Sequence, residues 1–160
     1  MERKTKVNAE EGKHDIHISR EFDLPVDLLF KAHVDPEIFE QWMSHEYGTT
    51  KVLKLECKNH GGWQFQTVDA QGNVLFQANG VIHEFVQDQK ITRTFEMNNT
   101  PFAVQLEFLE FVKLGDDTSK LNMQIVFKTV ELRDQLLKQP FAMGLNMAHN
   151  RLQEVVGKLK

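Results

Sequence analysis

The chain changes its hydrophobic period three times. From His14 the apolar residues Ile16, Ile18, Phe22 and Leu24 share one parity, while His17, Ser19, Glu21 and Asp23 take the other. That two-residue period is the mark of a half-buried strand. Arg20 interrupts the apolar series at mid-strand, so the strand is expected to meet solvent there. Pro25 ends it and opens the stretch VDLLFKAHV, in which Val26, Leu29, Phe30 and His33 form one helical stripe. Proline suits a first helical turn because the N–H it lacks would have no intrahelical partner. Asp35-Pro36-Glu37 is a second helix start, a capping acid, a proline and an acid in the first turn. Ile38, Phe39 and Trp42 are its apolar face. Helices this short are marginal alone, so both need a larger surface to pack on.

A sheet is predicted to supply it, over residues 50–129. Short alternating runs follow one another there: Leu53, Leu55 and Cys57; Trp63, Phe65 and Thr67; Val74 to Val86; Ile91 to Met97; Val104, Leu106 and Phe108; and Leu121, Met123, Ile125 and Phe127. Between them stand turn signals: Gly61-Gly62, Asp69 to Asn73, Asp88-Gln89, Asn98 to Pro101, and Gly115-Asp116-Asp117. Strands joined by short turns pair antiparallel, which predicts a meander of about six strands beside the first. A short polar helix is expected around Glu131 to Lys138, before Pro140. Beyond Pro140 a long amphipathic helix presents Phe141, Leu145, Ala148, His149, Leu152, Val156 and Leu159 on one face. Residues 1–13 hold one strong apolar residue and are expected to form a flexible arm or frayed strand extension, ahead of a single domain over 14–160. The expected class is α+β, with a curved antiparallel sheet holding the C-terminal helix.

Composition narrows the function more than the fold. Of 160 residues, 41% are hydrophobic and 26% charged, which excludes an intrinsically disordered chain. Nineteen basic and twenty-three acidic side chains leave −4, too little positive field for nucleic acid or an anionic membrane. One cysteine, Cys57, cannot close an internal disulfide and suits a reducing compartment. No apolar run nears the roughly 20 residues of a membrane helix, and the polar start is not expected to act as a secretory signal. A soluble, cytoplasmic protein is expected.

Several stretches carry a resemblance. Ser19-Arg20-Glu21-Phe22-Asp23-Leu24-Pro25, Leu29-Phe30-Lys31-Ala32, Asp35-Pro36-Glu37 and Gln41-Trp42 together are similar to the N-terminal signature of the SRPBCC superfamily, also called START-like or birch-pollen-allergen-like. Within it the chain most resembles single domains related to the C-terminal part of the ATPase activator of the ninety-kilodalton heat-shock chaperone. Gly61-Gly62-Trp63-Gln64-Phe65 fits, as do Gly80 ahead of Ile82, His83 and Glu84, and Gly144-Leu145 ahead of Leu152. The chain departs from the pattern where Leu145 replaces a tryptophan and His149 an aliphatic residue of the last helix. The resemblance implies a helix-grip fold with a cavity between sheet and C-terminal helix. It implies no single activity, because the superfamily includes lipid carriers, hormone receptors, cyclases and chaperone cofactors.

The candidate chemistry is sparse. Twelve phenylalanines supply both core and, if a pocket remains, its lining. Trp42, Tyr47, Phe65, Phe95, Phe108, Phe141 and His149 are the expected ligand-binding residues. His149 lies on the apolar stripe, where burial lowers its pKa and its ring needs partners. Ser44 to Gly48 places a His, a Glu and a Tyr in one loop, without a nucleophile and an orienting partner for catalysis. His14 and His17 point to opposite faces of a strand, and Cys57 with His60 makes at most half a zinc site. Neither Gly61-Gly62 nor Gly80 opens a helix, so no phosphate loop is expected. The expected function is non-catalytic binding of a small hydrophobic molecule, with no metal or cofactor. The alternatives are a cyclase- or hydratase-type enzyme using a cavity His or Glu as general base, and a module that binds a chaperone or other protein.

Overall fold

The computed structural model describes residues 3–160. In chain order the elements are β1 (Lys6–Asn8), β2 (Asp15–Phe22), α1 (Val26–Val34), α2 (Pro36–Met43), β3 (Thr49–Leu55), β4 (Gly62–Val68), β5 (Val74–Val86), β6 (Lys90–Met97), β7 (Gln105–Lys113), β8 (Ser119–Val126), α3 (Val130–Leu137) and α4 (Phe141–Gly157). Eight strands form one open antiparallel sheet in the order β1-β2-β8-β7-β6-β5-β4-β3. The fold is α+β and helix-grip-like, as the sequence pattern predicts, with one strand more than expected.

The extra strand is β1. Lys6, Val7 and Asn8 pair with Ser19, Ile18 and His17 of β2, so part of the expected arm is an edge strand; Met1 and Glu2 lie outside the described residues. Two arginines tie this segment down. Arg133, buried at the start of the helical tail, donates to the carbonyls of Glu10 and Asp15 at 2.6 and 3.1 Å. Arg20, expected at solvent, is 4% exposed and donates to the Asn146 and Asn150 side chains of α4 at 3.2 and 2.8 Å. It keeps the inward parity of Ile18 and Phe22 because the asparagines of α4 solvate its charge.

Local chemistry sets the helix starts. Asp35 caps α2 by accepting from the backbone N–H groups of Glu37 and Ile38 at 3.0 and 3.2 Å, and Pro36 occupies the first helical position. Thr129 caps α3 through the Leu132 N–H. Gly80 of β5 permits a close approach, since a Cβ there would lie 1.9 Å from the Thr94 carbonyl oxygen. The space left lets the Trp63 indole donate to that same carbonyl at 3.0 Å.

Two strands depart from the alternation expected of them. In β3 the register slips between Val52 and Lys54, so Val52 and Leu55 pack inward while Leu53 is 49% exposed. A bulge reverses parity, and simple alternation misses it. In β7 the inward residues are Gln105, Glu107, Leu109 and Phe111, not Val104, Leu106 and Phe108. The C-terminal stripe is also shorter than predicted: Leu159 lies past the end of α4 and is exposed.

The main core lies where α1, α2 and the C-terminal half of α4 meet the sheet. Phe22, Leu24, Leu29, Phe30, Leu121, Leu152 and Val156 are completely buried in it. A second cluster of Ile16, Ile18, Ile125, Phe127 and Leu136 receives Phe141 and Leu145 from the other end of α4. The space between the two clusters is not filled.

Candidate functional site

That space is a cavity of about 420 Å³ between the sheet and α4, within the range of roughly 300–1,000 Å³ usual for small-molecule sites. One wall is aromatic. Trp63 and Phe65 stack at 5.6 Å, Phe76 and Phe95 at 6.3 Å, and Phe39 meets Phe65 edge-on at 5.2 Å. Alternation along β4, β5 and β6 brings these rings to one face, and α2 adds Phe39 and Trp42 from above. Trp42 is held by its indole N–H, which donates to the Ala32 carbonyl at 2.8 Å.

Polar groups continue the sheet side of the lining next to these rings, and they are in part paired. The Arg93 guanidinium lies 4.1 Å from the centre of the Trp63 ring, and its Nε donates to Glu107 at 2.9 Å. The other Glu107 oxygen accepts from the Gln105 amide at 2.9 Å. This cluster explains the parity of β7, because Glu107 stands directly across from Arg93 in the ladder and a buried carboxylate needs such a partner.

Two histidines complete the lining. His33 is buried against Trp42 and Phe111, and its Nδ1 lies 2.9 Å from the Leu29 carbonyl oxygen. A carbonyl only accepts, so Nδ1 carries the proton and Nε2 is left as an acceptor. Burial pushes its pKa down to about 4. His149 is 1% exposed, with Nδ1 2.7 Å from the Thr5 hydroxyl and its ring edge-on to Phe22 at 5.6 Å. Burial, followed by the neighbouring His33 and Arg20, pushes it down to about 3. Both rings are therefore neutral at neutral pH.

Of the residues expected at a ligand site, Trp42, Phe65, Phe95, Phe141 and His149 line this one cavity. Tyr47 and Phe108 do not. Tyr47 is 74% exposed in the turn closed by the His45–Gly48 bridge. Phe108 faces away from the helices because Glu107 and Leu109 take the inward positions. Sequence reasoning missed Arg93, Gln105, Glu107 and Arg151. Arg93 was within reach, since it shares parity with Ile91, Phe95 and Met97. Gln105 and Glu107 become visible only once Arg93 is placed across from them. Among the described residues no cluster of three His, Cys, Asp or Glu side chains could hold a metal, and no helix is long and apolar enough to cross a membrane.

The family described as Activator of Hsp90 ATPase homolog 1-like protein matches residues 23–157. The chain belongs to this family. As a member of the Hsp90 ATPase activator homolog 1-like family it shares its fold with several solved structures. A protein from Rhodobacter sphaeroides superposes with a TM-score of 0.88 at 14% identity, covering 97% of this chain and 99% of that one. One from Nitrosomonas europaea gives 0.79 at 18% identity, covering 96% and 100%. One from Mycobacterium smegmatis gives 0.82 at 15% identity, covering 94% of each. At these identities the likeness shows the fold alone. Comparison with curated proteins finds no match. Family and fold together support a ligand-binding or chaperone-activator-like domain.

Proposed function

We propose that this protein binds a small hydrophobic molecule in the cavity between the sheet and α4, without transforming it, and does so in the cytoplasm. The observation that carries the reading is the mixed lining: an aromatic wall with buried polar groups set beside it. Affinity would come from apolar burial at about 25 cal/mol per Å² before ordering costs. Trp42, Phe65, Phe95 and Phe141 are the proposed apolar contacts, and His149 orients the ligand. Catalysis by a cavity base fits less well. A general base works best with a pKa near the working pH, whereas His33 and His149 sit near 4 and 3 and Glu107 is spent on Arg93 and Gln105.

Native mass spectrometry of the purified protein, followed by thermal-shift screening with apolar compounds, tests the reading. A ligand at one hundred times its Kd should add about 2.7 kcal/mol of stability. The shift should vanish in Ala148→Phe, which puts a ring into the cavity from α4. A panel without any shift, or a shift that survives Ala148→Phe in a folded variant, would sink the proposal. A chaperone captured through the sheet's outer surface, with the cavity variant still competent, would favour a protein-interaction module instead.

A further inference from the structure

The cavity lining is not electrically neutral. Besides its histidines, the lining holds three ionisable side chains: Arg93, Glu107 and Arg151. Arg93 and Glu107 cancel one another across β6 and β7. Arg151 has no carboxylate within ion-pair distance among the described residues; its Nε donates to the Trp42 backbone carbonyl at 3.0 Å. Among the described residues, its two Nη nitrogens meet no protein acceptor. The Nε bond aims the guanidinium along the seam between α2 and α4, where it borders the cavity. Burial there lowers its pKa, so the charge is held at some cost. The lining thus carries one uncompensated positive charge in a chain whose net charge is −4.

Resting on the cavity reading above, we infer that the ligand is an amphipathic carboxylate, its apolar body against the aromatic wall and its carboxylate taken by Arg151. The two free Nη groups form a fork that matches a carboxylate's two oxygens. The anion also supplies the charge that the lining lacks. A neutral ligand of the same shape would leave the guanidinium half-desolvated and unpaired, which is the costlier state. Arg93 does not compete for this role in the same way, because its charge is already met by Glu107.

Calorimetry with matched acid and alcohol pairs tests this directly: decanoate against decanol, and naphthylacetate against naphthylethanol, at neutral pH. The acids should bind about tenfold tighter than the alcohols, the yield of one charge-assisted pair. Arg151→Gln should erase that preference by weakening the acids and not the alcohols, and Arg151→Lys, which keeps the charge without the fork, should retain only part of it. Arg151 is only partly buried, so both variants are expected to fold, and their melting temperatures check it. Alcohols that bind as tightly as their acids in the unmodified protein overturn the carboxylate inference and leave the cavity reading intact. A preference that survives Arg151→Gln overturns the assignment to Arg151. If neither acids nor alcohols bind, the cavity reading fails and this inference falls with it.

Discussion

The two ends of α4 do different things. At its C-terminal half Leu152 and Val156 are wholly buried against Phe22, Leu24, Leu29 and Phe30. At its N-terminal half Phe141 and Leu145 are only half-buried, and a Cβ built on Gly144 would meet nothing within 4 Å. The same helix is an anchor at one end and a roof over empty space at the other. Tight packing and open space are therefore separated along one element: Leu152 and Val156 hold the fold together, and Phe141 to Leu145 can be changed at less structural cost, while Asn146 between them is kept by its bond to the buried Arg20. The contrast is quantitative and can be broken.

The largest effect tests the anchor against the roof. Leu152→Ala should cost about 3–4 kcal/mol, the usual penalty for a fully enclosed leucine whose site cannot collapse. Leu145→Ala should cost about 1 kcal/mol, since part of its surface already faces space or solvent. Urea unfolding of both variants, with unchanged m-values, measures the difference. Equal losses would mean that the roof is packed as tightly as the anchor and that the cavity closes in solution.

The anchor was also the legible end. Ile16, Ile18, Phe22 and Leu24 on one parity, and Leu152 and Val156 on one helical face, could be read because apolar residues at a fixed period have one physical explanation. The cavity end was harder to read. There the inward face of β7 carries Gln105 and Glu107, which alternation assigns to solvent. Their burial is stabilised by Arg93 on the neighbouring strand and by each other, so it depends on a pairing that no single strand displays. Phe108 was misplaced for the same reason: once Glu107 faces in, Phe108 must face out. The bulge at Leu53 is a second case, a backbone irregularity without a composition signal. Arg20 is a third, a charge turned inward because α4 brings two asparagines from far along the chain.

The next effect, counted for one histidine at a time, comes from His33 of α1 and His149 of α4, which line the cavity beside the core. Their folded pKa values, about 4 and about 3, lie below the unfolded value of 6.5. The unfolded chain therefore takes up protons first as pH falls. Stability is fully present above about pH 7 and declines through the window from 6.5 downward. Between pH 7 and pH 5 each histidine should cost about 2 kcal/mol. Chemical denaturation at both pH values should show the combined loss, and His149→Gln should remove roughly half of it. A stability curve flat over this range would show that water reaches both rings and hydrates their charged forms.

The smallest effect is confined to the roof. Gly144 lies inside α4, where glycine is among the poorest helix formers, and its conformation carries no positive φ that would require it. Open space lies where its side chain would be, so Gly144→Ala meets no steric opposition. The substitution should raise stability by about 0.5–1 kcal/mol, through helix propensity and the reduced freedom of the unfolded chain. Its methyl group is too small to obstruct the cavity, so ligand affinity should stay within about twofold of the unmodified protein, under 0.5 kcal/mol. A thermal melt and one titration decide it. Loss of stability would mean that something in solution fills the space beneath Gly144, and loss of affinity would place the entry route directly against this turn of α4.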